Sequence, residues 1–230
     1  MAANILAKNL ESVRYNIAQA AEKSGRTAAD ITLIGVTKMV AADKVQQLVD
    51  LGVTHLGENR VQELRDKIPR VSSQATWHLI GHLQTNKVKD VIGHVALIHS
   101  VDSLRLAEEI NKRAKNANMI VDILLEVNIA DELSKYGVSV NMALELAKQL
   151  ADLPHVCLRG LMTVAPYVEK AENNRLCYKK MTEVFIDIQH KIGNNSSLTF
   201  LSMGMTNDYA VAIEEGANIV RVGTGLFGSR

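Results

Sequence analysis

The sequence predicts an α/β fold, a (β/α)8 TIM barrel preceded by one extra helix. Three observations carry that expectation. Eight short apolar runs of strand length alternate with helix-length segments of interleaved charge. Each strand-to-strand step contains enough chain for a crossover, which makes neighbouring strands parallel. The 230 residues also match the size such a barrel needs. An open, doubly wound sheet made of the same units is the competing architecture.

The elements follow in order. In "MAANILAKNLESVRYNIAQAAEKSG" the apolar positions Leu6, Leu10, Val13, Ile17 and Ala20 have helical spacing, so the extra helix is amphipathic and packs on the body. Lys8, Glu11 and Arg14 interrupt any core of signal-peptide type. The eight strand runs are "ITLIGVT" (31–37), "VTHLG" (53–57), "TWHLIG" (76–81), "ALIHSV" (96–101), "MIVDILLEVN" (119–128), "VCLRGLMTV" (156–164), "LTFLSM" (198–203) and "NIVRVG" (218–223). Helices are expected at 41–52, 59–68, 85–93, 102–116, 139–153, 168–193 and 207–217, with Gly52, Gly193 and Gly216 suited to the position just past a helix end.

Composition excludes several classes of function. With 47% apolar and 22% charged residues, only three prolines and no low-complexity run, the chain reads as one domain over 1–230. The 26 basic and 25 acidic residues leave a net charge of +1, and aromatics are 4%, which argues against nucleic acid as a partner. Nowhere do 18 apolar residues stand in a row, so no membrane span is expected. Cys157 and Cys177 form neither a CxxC pair nor a ligand cluster and read as reduced thiols, consistent with a cytoplasmic location. No large apolar surface stripe is evident, and a monomer is expected.

In barrels of this kind the chemistry sits at the C-terminal ends of the strands, and phosphate groups are held after strands 7 and 8. Lys38 stands at that end of strand 1. After strand 7, "SMGMTND" offers the Ser202 hydroxyl, Gly204 for close backbone approach, and Thr206 or Asn207 as a helix N-cap. After strand 8, Gly223 and Gly225 flank Thr224 and form a second cradle of amides. One such loop alone would be an ordinary turn; two in tandem, with a lysine on strand 1, point to a phosphate ligand. Lys38 is then either a nucleophilic amine activated by an apolar mouth or a lysine that snorkels to water. Arg221 lies on a core strand and needs a partner, either a carboxylate such as Glu126 or Glu58 or a heteroatom of a ligand. His78 and His82 are read as polar lining of the mouth, and no metal site is expected among the histidines.

These residues carry a resemblance. Through "VTK" (36–38), "GENRVQE" (57–63), "WHLIGHLQTNK" (77–87), "VDS" (101–103), "EVNIADELSKYG" (126–137), "RGLMTV" (159–164), "LSMGMTND" (201–208) and "VRVGTGLFGSR" (220–230), nearly the whole chain resembles the pyridoxal-phosphate homeostasis family, also called YggS/PROSC. That family is related in fold to the N-terminal barrel of alanine racemases. The resemblance implies pyridoxal 5′-phosphate (PLP) as cofactor, bound as a Schiff base on Lys38. It places the phosphate at Ser202, Gly204, Gly223 and Thr224, and the cofactor ring near Asn59 and Arg221. Thr37, Met39 and the "TND" turn depart from the family pattern, which bears on affinity rather than on the lysine.

The resemblance further implies a PLP carrier or regulator that supplies PLP-dependent apoenzymes, without catalysis of its own. An arginine at the ring nitrogen weakens the cofactor as an electron sink. The chain also stops at Arg230, just past the eighth unit, where racemases continue into a second domain. Two enzymatic alternatives stand beside it: a single-domain racemase using Tyr136, Tyr167 or Tyr209 as a second base, and a cofactor-free aldolase that uses Lys38 on a phosphorylated sugar.

Overall fold

The computed structural model describes residues 2–132, 135–192 and 198–228, with side chains from residue 5 onward. Gly193, the glycine expected to end the longest helix, lies outside the described residues. Helix α1 (Ala2–Lys23) precedes β1 (Thr32–Val36), α2 (Ala42–Asp50), β2 (His55–Glu58), α3 (Val61–Lys67), β3 (Thr76–Leu79), β4 (Leu97–Val101) and α4 (Leu104–Asn116). The chain continues through β5 (Val121–Asn128), β6 (Val138–Ser139), α5 (Val140–Ala151), β7 (Val156–Met162), α6 (Arg175–Ile192), β8 (Phe200–Met205), α7 (Tyr209–Glu214), β9 (Ile219–Val222) and α8 (Thr224–Phe227).

Eight of these strands close a barrel in the order β1-β2-β3-β4-β5-β7-β8-β9, and β9 returns to β1 with every pairing parallel. The β4–β5 pairing excludes the open sheet, because an open sheet would leave both strands as edges. The eight strand runs seen in the sequence are the eight barrel strands, and the two-residue β6, added beside β5, had no such run to announce it.

Helix α1 buries Leu6, Leu10, Val13, Ile17 and Ala20, the stripe its periodicity predicts. Asn9 Nδ2 donates to Leu226 O at 2.8 Å and Asn16 Nδ2 to Tyr209 Oη at 3.2 Å, so this helix is tied to α8 and α7. The helix expected at 85–93 is instead a 3-10 turn over Thr85–Asp90, with bonds of i to i−3 type such as Val91 N–H to Val88 O. Val88 and Val91 are the fully buried residues of that segment, and their spacing of three matches the 3-10 period. Likewise the segment at 168–193 opens with a 3-10 turn, Ala171–Asn174, and α6 begins at Arg175. Among the described residues no helix is long and apolar enough to cross a membrane.

Strand alternation sorts the side chains into two shells. Leu56, Leu79, Ile98, Leu201 and Val220 face outward into the core shared with the helices. Ile34, Leu97, Leu124, Met162 and Ile219 form a small apolar cluster of their own. Their strand positions place it within the barrel, where it leaves room for polar residues.

One position shows how tightly the wall is drawn. Gly160 on β7 pairs with Phe200 on β8, and a Cβ at Gly160 would stand 1.8 Å from Phe200 O. The overlap is with backbone, which cannot rotate away. Gly160→Ala is therefore expected to destabilise the protein by about 3 kcal/mol or more in denaturant unfolding; a loss under about 1 kcal/mol would contradict the close approach.

Candidate functional site

All eight barrel strands run the same way, so their C-terminal ends meet at one mouth, which we call the upper mouth. It opens into a cleft of about 420 Å³ lined by Lys38, Lys135, Arg221, Gly223, Thr224 and the loops after β7 and β8. The volume is in the range of small-ligand sites.

Lys38 is exposed and lines this cleft just past the end of β1. Of the two alternatives, its exposure matches a lysine that reaches water at the mouth. Its backbone, in contrast, is held on both sides. Thr37 O accepts from Lys67 Nζ at 2.7 Å, and Met39 N–H donates to Glu63 Oε2 at 2.7 Å. Met39 itself is left-handed, at φ 58°, which completes a tight turn around the lysine.

Below that turn lies a buried ion-pair network. Glu58, fully buried at the end of β2, takes a short bond from Lys67 Nζ and a 2.6 Å bond from Thr37 Oγ1. Lys67, on the last turn of α3, also pairs with Glu63 at 2.9 Å. Such a network holds only while every member is paired. Sequence reasoning offered Glu58 as a partner for Arg221; the structure gives it to Lys67.

Arg221 is buried within the barrel, on β9, with its head in the wall of the cleft. Nη1 donates to Ser202 Oγ at 2.6 Å and Nη2 to Thr163 O at 2.8 Å, so its hydrogen bonds go to neutral groups. Glu126 faces it electrostatically without a direct bond. Burial pushes the Glu126 carboxyl from its ordinary 4.5 up to about 7; Asp102 adds to the rise and Arg221 opposes it.

The phosphate side also differs from the sequence expectation in its details. Ser202 is fully buried and does not line the cleft; Arg221 and His99 engage its hydroxyl. Gly204, at φ 89°, serves packing: a Cβ there would stand 2.6 Å from Ala212 Cβ and 2.8 Å from Tyr209 Cα on α7. The N-cap of α7 is Asp208 rather than Thr206 or Asn207. Asp208 Oδ1 accepts from Met205 N–H, and its Oδ2 accepts from Asn174 Nδ2, tying the wall of the cleft together.

Thr206 is the hydroxyl at this end of the cleft. The amides of Gly223 and Gly225 both point at its Oγ1, at 3.3 and 3.2 Å. Two backbone N–H groups converging on one oxygen is the arrangement a phosphate oxygen requires. Thr224 is exposed beside them. Asn59 is not part of the cleft lining; it packs under Gly81, and among the described residues its buried Oδ1 finds no hydrogen-bond partner.

Of the two histidines expected to line the mouth, one does so and the other does not. His82 is at the upper mouth, stacked on Tyr136 with centroids 4.0 Å apart and 3.7 Å from Asp102. His78 lies inside the barrel, bonded to His55 and His99. Among the described residues no group of three or more His, Cys, Asp or Glu is placed to hold a metal ion.

Against known proteins, a family model described as alanine racemase, N-terminal domain, matches residues 9–230. The pyridoxal phosphate homeostasis protein of Aquifex aeolicus is 43% identical over 224 residues, covering 97% of each chain. The chain belongs to this family of pyridoxal phosphate homeostasis proteins. The resemblance drawn from the motifs is thereby borne out. A solved structure of PipY from Synechococcus elongatus with PLP bound superposes with a TM-score of 0.85 at 32% identity, covering 97% of this chain and all of that one. An alanine racemase of Clostridium difficile superposes at 0.77 with 18% identity, over 99% of this chain and 60% of the racemase, a likeness of fold.

The environment of Glu126 generates a test of the electrostatics in this family member. The folded state binds its proton more tightly than the unfolded chain does. This carboxyl therefore erodes stability as pH rises from 4.5 towards about 7, and the loss is complete above that. Glu126→Gln should gain up to about 3 kcal/mol over the parent at about pH 8 and nothing near pH 4, measured by urea unfolding. Equal effects at both pH values would contradict the assignment.

Proposed function

We propose that the protein binds pyridoxal 5′-phosphate in the upper cleft, holds it as a Schiff base on Lys38, and releases it to maintain the cellular supply, without a catalytic cycle of its own. One observation carries this reading: the cleft brings a primary amine, a guanidinium and the hydroxyl-and-amide loop of Thr206, Gly223 and Thr224 around a single volume. An aldehyde that also bears a phosphate and a pyridine ring fits those three chemistries together. The PLP-bound relative supports it.

The free amine of Lys38 adds to the aldehyde carbon. Loss of the aldehyde oxygen as water leaves the C=N bond, and the reverse addition of water or of another amine releases the ligand. The loop of Gly223, Thr224 and Gly225, with the Thr206 hydroxyl, receives the phosphate, whose oxygens take over the two amides that Thr206 Oγ1 otherwise accepts from. Arg221 meets the ring from the barrel interior. A permanent cation there disfavours a proton on the pyridine nitrogen and so weakens the cofactor as an electron sink.

The open mouth that leaves Lys38 exposed suits exchange better than a sequestered reaction. A racemase would need a second base at the cleft. Tyr209 is buried against α1, and Tyr136 is stacked on His82; of the three tyrosines only Tyr167 lines the cleft, and it is 83% exposed. PLP-dependent apoenzymes are the recipients this reading implies. An aldolase acting without cofactor finds no support from the PLP-bound relative.

Titration of the purified protein with PLP, followed by absorbance, tests the proposal. The parent should develop the visible band of a lysine-bound aldehyde and show no turnover of alanine. Lys38→Ala should lose the band and bind at least about 100-fold more weakly while keeping its circular dichroism. An unchanged band in Lys38→Ala, or racemisation at enzymatic rates by the parent, would overturn it.

A further inference from the structure

A line of polar side chains crosses the barrel beneath the cleft. His55 Nδ1 is 2.9 Å from His78 Nε2, His78 Nδ1 is 3.0 Å from His99 Nε2, and His99 Nδ1 is 3.0 Å from Ser202 Oγ, which in turn accepts from Arg221. Each of the inner two imidazoles uses both ring nitrogens.

Strand register explains how three histidines far apart in sequence come into file. His55 on β2 pairs with Thr76 on β3, and His78 stands two residues further along β3. His78 pairs with Leu97 on β4, and His99 again stands two residues further along. The file therefore climbs by two residues, roughly 6.6 Å, at each strand, a diagonal set by the stagger of the closed barrel.

Its two ends lie at opposite mouths. Arg221 lines the upper cleft, whereas His55 and His78 line a separate cavity of about 170 Å³ among the strand starts, with Thr32, Thr76 and Asp122.

The hydrogen-bond inventory gives the file a direction. Arg221 can only donate, so Ser202 Oγ accepts from it; with His99 Nδ1 as the one other side-chain partner of this buried hydroxyl among the described residues, the serine's proton is satisfied only by donation to that nitrogen. His99 is then protonated at Nε2 and donates to His78, and His78 is protonated at Nε2 and donates to His55. His55, which lines the lower cavity, then carries its own proton on Nε2. Such a file requires neutral rings. Burial, with His55 adding to it, pulls His78 down to about 3, and burial together with His78 and Arg221 holds His99 well below its ordinary value.

Barrel interiors are ordinarily filled by branched apolar side chains, which carry no hydrogen bonds to satisfy. We propose that His99, His78 and His55 are positioning residues: acting through Ser202, they fix the Arg221 guanidinium beneath the cofactor ring and link the upper cleft to the lower cavity. The last step, from Arg221 to the ring, rests on the PLP reading above; the file itself does not.

Two arms test the proposal separately. In the ligand-free parent at about pH 7, nitrogen-15 NMR of the imidazoles should show His78 and His99 neutral and each protonated at Nε2 alone; a charged ring or a mixture of tautomers at either would overturn the file. In the second arm, His78→Phe breaks the file at a residue that touches neither Arg221 nor the cleft, and His78→Gln keeps one donor and one acceptor. His78→Phe should weaken PLP binding about tenfold and shift the visible band, and His78→Gln should restore both towards the parent. Parent-like binding and spectrum in both variants, or the same defect in both, would overturn the positioning role. A parent that fails to bind PLP would overturn the link to the ring while leaving the NMR arm to decide the file.

Discussion

A guanidinium cannot shed its charge, so placing Arg221 inside a closed barrel obliges everything around it to supply hydrogen bonds and a favourable field. Thr163 O and Ser202 Oγ take its protons, and Glu126 faces it across the interior. Ser202 thereby becomes part of the arginine's support rather than of the cleft lining, and its hydroxyl also bonds His99. The polar column is the consequence of one cation, and the apolar cluster of Ile34, Leu97, Leu124, Met162 and Ile219 completes the interior around it.

The lysine at the other side of the cleft depends on a second buried charge. Lys67 reaches from α3 to Glu58 and to the carbonyl of Thr37, and Glu63 from the same helix takes the amide of Met39. Lys38 is thus an exposed side chain on an anchored backbone. That combination suits an amine that must find an aldehyde and later let it go, since the anchor fixes where the bond forms while the open mouth leaves water and competing amines access to it.

Much of this was legible in the sequence because it follows from local pattern. Apolar runs fixed the eight strands, helical spacing fixed the buried stripe of α1, and the rule that chemistry lies at strand ends singled out Lys38, Arg221, Gly223 and Thr224, all of which line the cleft. What was not legible depends on register and on contacts between elements. The β8–β9 pairing shifts between Ser202 and Met205, so simple alternation cannot tell that Gly204 turns towards α7 and that Thr206 is the hydroxyl facing the amides. The Glu58–Lys67 pair joins a strand to a helix and leaves no periodic trace. His55, His78 and His99 stand one each in the successive strands "THLG", "TWHL" and "LIHSV", and their file becomes visible only once the stagger between strands is known.

On the proposed reading Lys38 captures the ligand's aldehyde, although Lys135 lines the same cleft. Borohydride reduction of the PLP-loaded protein, followed by peptide mass mapping, makes the capture permanent and locates it. One phosphopyridoxyl group is expected, on the peptide that carries Lys38. A label on Lys135 instead, or no label at PLP concentrations that saturate the visible band, would contradict it.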